Sequence, residues 1–290
     1  MVAPSRKVAL TIDLEEWTVP EDFGTSQVPE NVRMHVSAKG LQRLLAVLSL
    51  ENVKATFFVT AYFAQRSVSL LRELSKAGHE IGSHGLDHTR KLPELSQSRL
   101  EKVEKIRRST RILEACTGTR IEGYREPYFA IERPTIEALI ELGYLYDSSI
   151  LGTLLPRKLE WITVPPTPFV WKTQTDKRGK LVELPISVFP KLRIPAGWWW
   201  FRKNLGDWIP CATGNALFRR GQPFITNIHA WELVEPPAAY PVPFHIRYNC
   251  GEKSGSQILS LISRLKQSGA EFVQMKEIAR DSSWTRNVLA

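Results

Sequence analysis

Short runs of β-branched and aromatic residues recur along the chain, and most of them end on a polar or titratable side chain. Residues 8–12 (VALTI) lead into Asp13-Leu14-Glu15-Glu16, residues 55–60 (ATFFVT) form a second run, and residues 79–83 lead into His84-Gly85-Leu86-Asp87-His88. A fourth run at 121–124 gives way to Arg125-Glu126-Pro127-Tyr128-Phe129, and a short one at 145–147 ends on Asp147. Runs at 181–188 and 224–231 follow, the second carrying His229, and 271–274 is the last. Between them lie stretches with apolar residues at helical spacing. Leu41, Leu44, Leu45 and Leu48 follow a capping Ser37, and Leu70, Leu71 and Leu74 lie in a helix over 61–77 closed by Gly78. Further helices are expected over 95–116, from Pro134 to Gly143, and over 256–268. Residues 18–36 and 151–180, rich in proline and polar side chains, read as irregular, and the tail is polar. Alternation of this kind, with no break in composition, predicts one α/β domain over residues 1–290, its core at about 7–280, built as a parallel barrel or doubly wound sheet. The titratable residues fall just past strand ends, where parallel α/β barrels carry their sites.

Bulk properties narrow the function classes. With 290 residues, 43% of them hydrophobic, the chain can bury a large core. Its formal charge of +9 suits an anionic partner or simple solubility. Cys116, Cys211 and Cys250 are sparse and follow no metal or disulfide spacing, which fits a reducing compartment. No apolar run approaches the ~18 residues of a membrane span. The N-terminus carries no signal-like apolar region, so a cytoplasmic location is expected. Neither a dinucleotide fingerprint nor a phosphate loop is present, and no nucleic-acid module accompanies the basic charge.

Two patterns point to chemistry. His84 and His88 are four apart among glycines, a spacing at which neutral imidazoles can converge on one divalent ion. Asp13 and Glu15, at i and i+2, can both face the mouth of a barrel if the backbone leaves the extended form there. One would complete a His-His-carboxylate set, and the other would take a proton from metal-activated water. The competing reading is an acidic strand end with solvated side chains. Separately, Trp198, Trp199 and Trp200 beside Arg202 and Lys203 suggest a surface that stacks on sugar rings or lies at a bilayer interface, with Lys191 and Arg193 favouring an anionic, lipid-linked saccharide. His79 reads as packing behind the histidine loop, and His35 and His245 as lining the cleft or the surface.

Taken in order, Thr11-Ile12-Asp13-Leu14-Glu15, Ser83-His84-Gly85-Leu86-Asp87-His88, Gly123-Tyr124-Arg125-Glu126-Pro127-Tyr128-Phe129 and Ile228-His229 resemble the polysaccharide deacetylases, carbohydrate esterase family 4. His229-Ala230-Trp231-Glu232-Leu233, with Tyr146-Asp147-Ser148-Ser149 and Glu183-Leu184-Pro185, looks like the branch found with exopolysaccharide and exosortase loci. The resemblance spans about residues 8–277. It implies a distorted (β/α)7 barrel and metal-dependent removal of an N-acetyl group from an amino sugar in a polysaccharide, oligosaccharide or lipid-linked glycan. The ion would be zinc, with cobalt, nickel, iron or manganese as alternatives. By motif, Asp13 is the general base, Glu15, His84 and His88 are the ligands, and Arg125 orients Asp13. The Tyr128 N–H helps to hold the oxyanion, and His229 is the general acid, oriented by Asp147. Glu126, Trp198, Trp199 and Trp231 are the candidate substrate contacts. The family's adjacent Asp pair is replaced here by Asp13-x-Glu15, which leaves Glu16 as an alternative ligand. Glu126 stands where a small residue is commoner, and is expected to pair with a neighbouring arginine. Two other functions fit the same residues: an amidase or cyclic-imide hydrolase, or a non-catalytic barrel that binds saccharide.

Overall fold

A computed structural model describes residues 6–88, 98–154, 163–172, 180–281 and 288–289. Strand β1 (Lys7–Leu14) leads to the one-turn helix α1 (Val19–Asp22) and the long helix α2 (Glu30–Leu50). Strand β2 (Thr56–Val59) precedes α3 (Ala61–Arg66) and α4 (Val68–Lys76), β3 (Glu80–Ser83) precedes α5 (Arg99–Thr117), and β4 (Gly123–Tyr124) precedes α6 (Arg133–Glu141). Then come β5 (Tyr146–Asp147), β6 (Phe169–Lys172), β7 (Lys180–Glu183), α7 (Trp199–Leu205), α8 (Trp208–Phe218) and β8 (Phe224–His229). The chain finishes with α9 (Phe244–Arg247), α10 (Glu252–Gln267), β9 (Glu271–Phe272), α11 (Met275–Ala279) and β10 (Val288–Leu289).

Seven strands run parallel in the order β8-β1-β2-β3-β4-β5-β7. The two ends of this series meet through irregular backbone. Ser187, just past β7, donates its N–H to the Ile225 carbonyl at 2.9 Å, and Asn227 donates to the Gly197 carbonyl at 3.0 Å. The result is the distorted (β/α)7 barrel that the resemblance implied, with an irregular seam. Strand β6 lies antiparallel on β7, β10 flanks β6, and β9 pairs with the start of β1.

The sequence of β1 explains its central position. Val8 to Leu14 are all buried, as expected for a parallel strand covered on both faces. Leu10, Ile12 and Leu14 face the helix layer, where they join Leu41, Leu44 and Leu48 of α2, each such burial contributing roughly 1.5–3 kcal/mol. Ala9 faces the barrel interior with Phe58, Tyr146, Val182 and Ile225. The polar residues of that same inner face, Thr11 and Asp13, are thereby carried towards the open end. Gly40 lets α2 press against the turn after β8, since a Cβ there would overlap the Ala230 carbonyl.

Several expectations need correction. The loop expected over 18–36 instead holds α1 and the first two turns of α2, which starts after Pro29 because Val32 and Val36 find apolar partners around Trp17. Ser37 is buried inside that helix and is not a cap. The single helix expected over 61–77 breaks at Ser67 into α3 and α4. Within the irregular stretch, Phe169–Lys172 forms β6, and Val170 and Trp171 are buried against β7. Residues 95–97 of the third expected helix, and 155–162 and 173–179 of the irregular stretch, lie outside the described residues. The helix that is described starts on a Ser98–Glu101 capping box and ends at Gly118, whose φ of 69° is left-handed. Helices α7, α8, α9 and α11 went unread in the sequence. The three cysteines are free thiols. No described helix is long and apolar enough to cross a membrane.

Candidate metal centre and catalytic site

Past the end of β1 the chain turns, and Glu15 meets the histidine loop that follows β3. Its Oε2 lies 3.2 Å from His84 Nε2 and 3.0 Å from His88 Nε2. All three side chains are buried. These distances are close to the edge of about 3.3 Å that a tetrahedral ion with bonds near 2 Å would impose. Glu15 Oε2 is also a buried oxygen without a hydrogen-bond partner, although two ring nitrogens approach it. Both nitrogens therefore point at the same place as the carboxylate instead of donating to it. The orphaned oxygen, the spacing and the two-nitrogen, one-oxygen donor set fit a divalent cation.

The rings are held from behind. His84 Nδ1 lies 2.7 Å from the Arg125 carbonyl, which it serves as donor, leaving Nε2 as the lone-pair nitrogen. His88 Nδ1 faces the Thr18 hydroxyl at 3.4 Å, and its ring lies 4.0 Å from that of Tyr128. Burial, with His84 and His229 nearby, outweighs the pull of the Glu15 carboxylate and holds the His88 imidazole down to about 4, so it is neutral, as a ligand must be. Glu16 faces elsewhere. Its Oε1 accepts the His88 N–H at 2.6 Å and its Oε2 accepts the Thr60 hydroxyl at 2.7 Å. It therefore anchors the histidine loop, and Glu15 is the carboxylate beside the two imidazoles.

Beside this cluster, Asp13 is paired with His229 in the β1–β8 register. Arg125, fully buried after β4, donates to Asp13 Oδ1 at 2.6 Å, to the Thr11 hydroxyl at 2.9 Å, and to the Ser148 carbonyl and hydroxyl at 3.0 and 2.9 Å. Its guanidinium lies 4.1 Å over the Phe58 ring. Asn227 donates to the other Asp13 oxygen at 3.0 Å. Burial raises the Asp13 carboxyl, but Arg125, His84 and His229 outweigh it and hold it down to about 2. Tyr128 and Phe129 both have positive φ (58° and 55°), a strained turn that keeps the Tyr128 ring on His88 and its hydroxyl on Asp22 at 2.6 Å.

His229 ends β8 with its Nε2 3.8 Å from Asp13 and 4.0 Å from Glu15. Its Nδ1 faces Glu232 Oε1 at 3.3 Å. Burial lowers its pKa, but the carboxylates of Glu232, Glu15 and Asp13 prevail, so the net shift is upward. Asp147, expected beside His229, is committed elsewhere. Its oxygens accept the Ser149 N–H and hydroxyl, Glu183 stands opposite it on the neighbouring strand, and burial raises both carboxyls. Glu126 finds the Tyr124 hydroxyl at 2.6 Å and Lys102 at 3.8 Å, a lysine where an arginine was expected.

The tryptophan stretch is corrected more fully. Trp199 and Trp231 are buried against His229, with ring centroids 5.1 Å from it in both cases, and Trp198 is half-buried beside Trp199. Arg202 and Lys203 are completely buried, the first on Glu232, the second on the carbonyls of Ile246 and Tyr248. These two cations therefore face neither water nor lipid. Lys191 and Arg193 sit in left-handed turns, and Arg193 donates to the Gly152 and Val164 carbonyls. The sequence reading gave no site role to Asn227, Thr18 or Glu232, and it placed Arg202 on the surface. Asn227 carried a signal, as a polar residue inside an apolar strand; the others become visible only once the loops are folded.

Comparison with known proteins gives a consistent result. Residues 4–146 match the family model described as polysaccharide deacetylase. Among curated proteins, a peptidoglycan deacetylase of Helicobacter pylori is 24% identical over 131 residues, 44% of each chain. A peptidoglycan deacetylase-like protein of Gibberella zeae is 28% identical over 158 residues, 51% of this chain and 45% of its own. The chain thus spans a little under half the length of these relatives. Among solved structures, a Mycobacterium smegmatis protein assigned as a polysaccharide deacetylase superposes with a TM-score of 0.73 at 21% identity, covering 100% of this chain and 96% of its own. A probable polysaccharide deacetylase from Pseudomonas aeruginosa gives 0.68 at 17% identity, covering 96% and 91%. At these identities the superpositions establish the fold.

Proposed function

Starting from the chain's membership of the polysaccharide deacetylase family, we propose that it is a metal-dependent hydrolase that removes an N-acetyl group from an amino sugar of a glycan, releasing acetate and a free amine. The observation that carries this reading is the buried convergence of Glu15, His84 and His88, with Asp13 and His229 beside it. The curated relatives are named for peptidoglycan, which supports an N-acetylated amino-sugar polymer as the substrate class.

Glu15, His84 and His88 would hold one divalent ion. Zinc suits this donor set best, and cobalt, nickel, iron or manganese could also be accommodated. Such an ion would polarise an acyl oxygen and would bring the pKa of bound water down to about 7. Asp13 takes the proton of the attacking water. Arg125 keeps that carboxylate ionised and fixes its direction, at some cost in basicity. The Tyr128 N–H is assigned to the oxyanion of the tetrahedral species. His229 delivers a proton to the departing nitrogen, because an amine leaves poorly unprotonated, and its raised pKa suits a donor near neutral pH. Trp199 and Trp231 hold the His229 ring between them.

The direct test is acetate release from N-acetylglucosamine oligomers and from peptidoglycan, with cyclic amides and imides as controls. Asp13→Asn should lower kcat by about 10²–10⁴ while the far-UV circular dichroism is unchanged. Turnover of the cyclic substrates alone, or full activity of Asp13→Asn, would remove the proposal.

A further inference from the structure

We propose that Glu232 and Arg202 together position the His229 imidazole, Glu232 holding the Nδ1–H so that Nε2 is presented to the leaving nitrogen. This rests on the reading of His229 as the proton donor. Glu232 lies in the short 3₁₀ turn Ala230–Leu233 that directly follows His229. One of its oxygens, Oε1, meets both the His229 backbone N–H at 2.6 Å and the ring Nδ1 at 3.3 Å. The other, Oε2, accepts from Arg202 Nη2 at 2.7 Å. Glu232 and Arg202 are both completely buried.

Each link has a physical reason. To donate from Nε2 the ring must first carry protons on both nitrogens; a carboxylate at Nδ1 favours that imidazolium, and once Nε2 has given up its proton it keeps the remaining one on Nδ1. Glu232 does this only while ionised. Burial alone would raise its carboxyl, but Arg202 and His229 prevail and hold it lowered. Arg202 comes from α7, inside the tryptophan stretch, so that segment supplies the outer end of a chain running Arg202, Glu232, His229. The turn itself is fixed: the Glu232 carbonyl accepts the Gly251 N–H at 2.8 Å, Arg43 donates to the Leu233 carbonyl at 2.8 Å, and Gly40 packs on Ala230. Trp231 stacked on the imidazole at 27° and Trp199 edge-on at 89° limit rotation of the ring. Asp147, engaged by Ser149 and Glu183, is not available for this role.

The test compares two substrates on the metal-loaded protein. An N-acetylated chitooligosaccharide needs a proton on its leaving amine, whereas 4-nitrophenyl acetate leaves as a stable phenolate. His229→Ala should lower kcat for the amide about 10²-fold or more, with ester turnover changed less than about threefold. Glu232→Gln, which keeps an acceptor but loses the charge, should lower amide kcat about tenfold with KM within about twofold and the ester again spared. The pair Arg202→Met with Glu232→Leu replaces a buried ion pair by apolar side chains, an exchange often neutral for stability, and should approach the His229→Ala loss. In parallel, ¹⁵N NMR of the ring should report Nδ1–H in the neutral wild type and a mixture of tautomers in the double variant. If Glu232→Gln and the double variant keep full amide turnover while His229→Ala loses it, the positioning role is wrong and the proton-donor reading stands. Equal losses on amide and ester in Glu232→Gln would reduce Glu232 to a structural cap. Equal losses on both substrates in His229→Ala would overturn the proton-donor reading, and this inference with it.

Discussion

Replacing Arg125 with methionine would remove one half of a charge pair that is buried on both sides. Arg125 makes four hydrogen bonds, two to side chains on β1 and two to Ser148, and its guanidinium covers the Phe58 ring. Without it, among the described residues, Asp13 keeps the Asn227 amide and the more distant His229 ring as polar partners in a site nearly closed to water. Breaking a buried pair from one side costs about 3–5 kcal/mol, because the remaining charge stays desolvated. The lowered pKa of Asp13, to which His84 and His229 contribute beside Arg125 and against burial, is of the same order. A fall from 3.8 to about 2 is worth about 2 kcal/mol at 1.36 kcal/mol per unit. The folded-state pKa is the lower one, so this contribution is complete above pH 4 and is lost as pH falls from about 4 towards 2. Urea denaturation of chelator-treated protein at pH 7 should therefore show a loss of about 3–5 kcal/mol for Arg125→Met at constant slope. The double variant with Asp13→Asn should be more stable than Arg125→Met alone, since it removes the stranded charge. A cost under about 1 kcal/mol, or strict additivity of the two substitutions, would refute this reasoning.

Three further outcomes follow from the same geometry. Glu16→Ala frees the His88 N–H and the Thr60 hydroxyl, so zinc affinity measured by competition with a chelator should fall about 10–100-fold, with binding still detectable. His79 accepts the Ala55 N–H on Nδ1, and burial, with Lys54 nearby, lowers its pKa from 6.5 to about 4. Its unfolded form takes up a proton first, so the melting temperature should fall as pH drops from 6.5 to 4, and His79→Gln should flatten that slope. Gly40→Ala would drive a methyl group into the Ala230 carbonyl; it should cost about 1–3 kcal/mol and lower kcat, because the displaced turn carries Glu232.

The parts of this molecule that were legible in the sequence are those governed by short-range pattern. Strands β1 and β2 announced themselves as apolar runs because they are buried on both faces, and Asp13, His84, Arg125 and His229 stood out as titratable residues at the ends of short strand-like segments. Helix α2 was misjudged by two turns because its first residues are helical for tertiary reasons: Val32 and Val36 pack on Trp17. Composition misled at Trp198–Lys203, where two adjacent cations beside tryptophans read as surface. Only the fold reveals that Glu232 and two backbone carbonyls await them. The choice between Glu15 and Glu16 was open for the same reason. Neighbouring carboxylates on a turning backbone point in different directions, and no spacing rule says which one meets the histidines.

The most direct test of the central claim is acetate release from an N-acetylglucosamine oligomer as a divalent ion is titrated into chelator-stripped protein. No turnover is expected without added metal, and activity should saturate at one equivalent per chain. That response should be lost in Glu15→Gln and in the double variant His84→Ala with His88→Ala. Undiminished acetate release from stripped protein, or from the His84/His88 double variant, would contradict the claim.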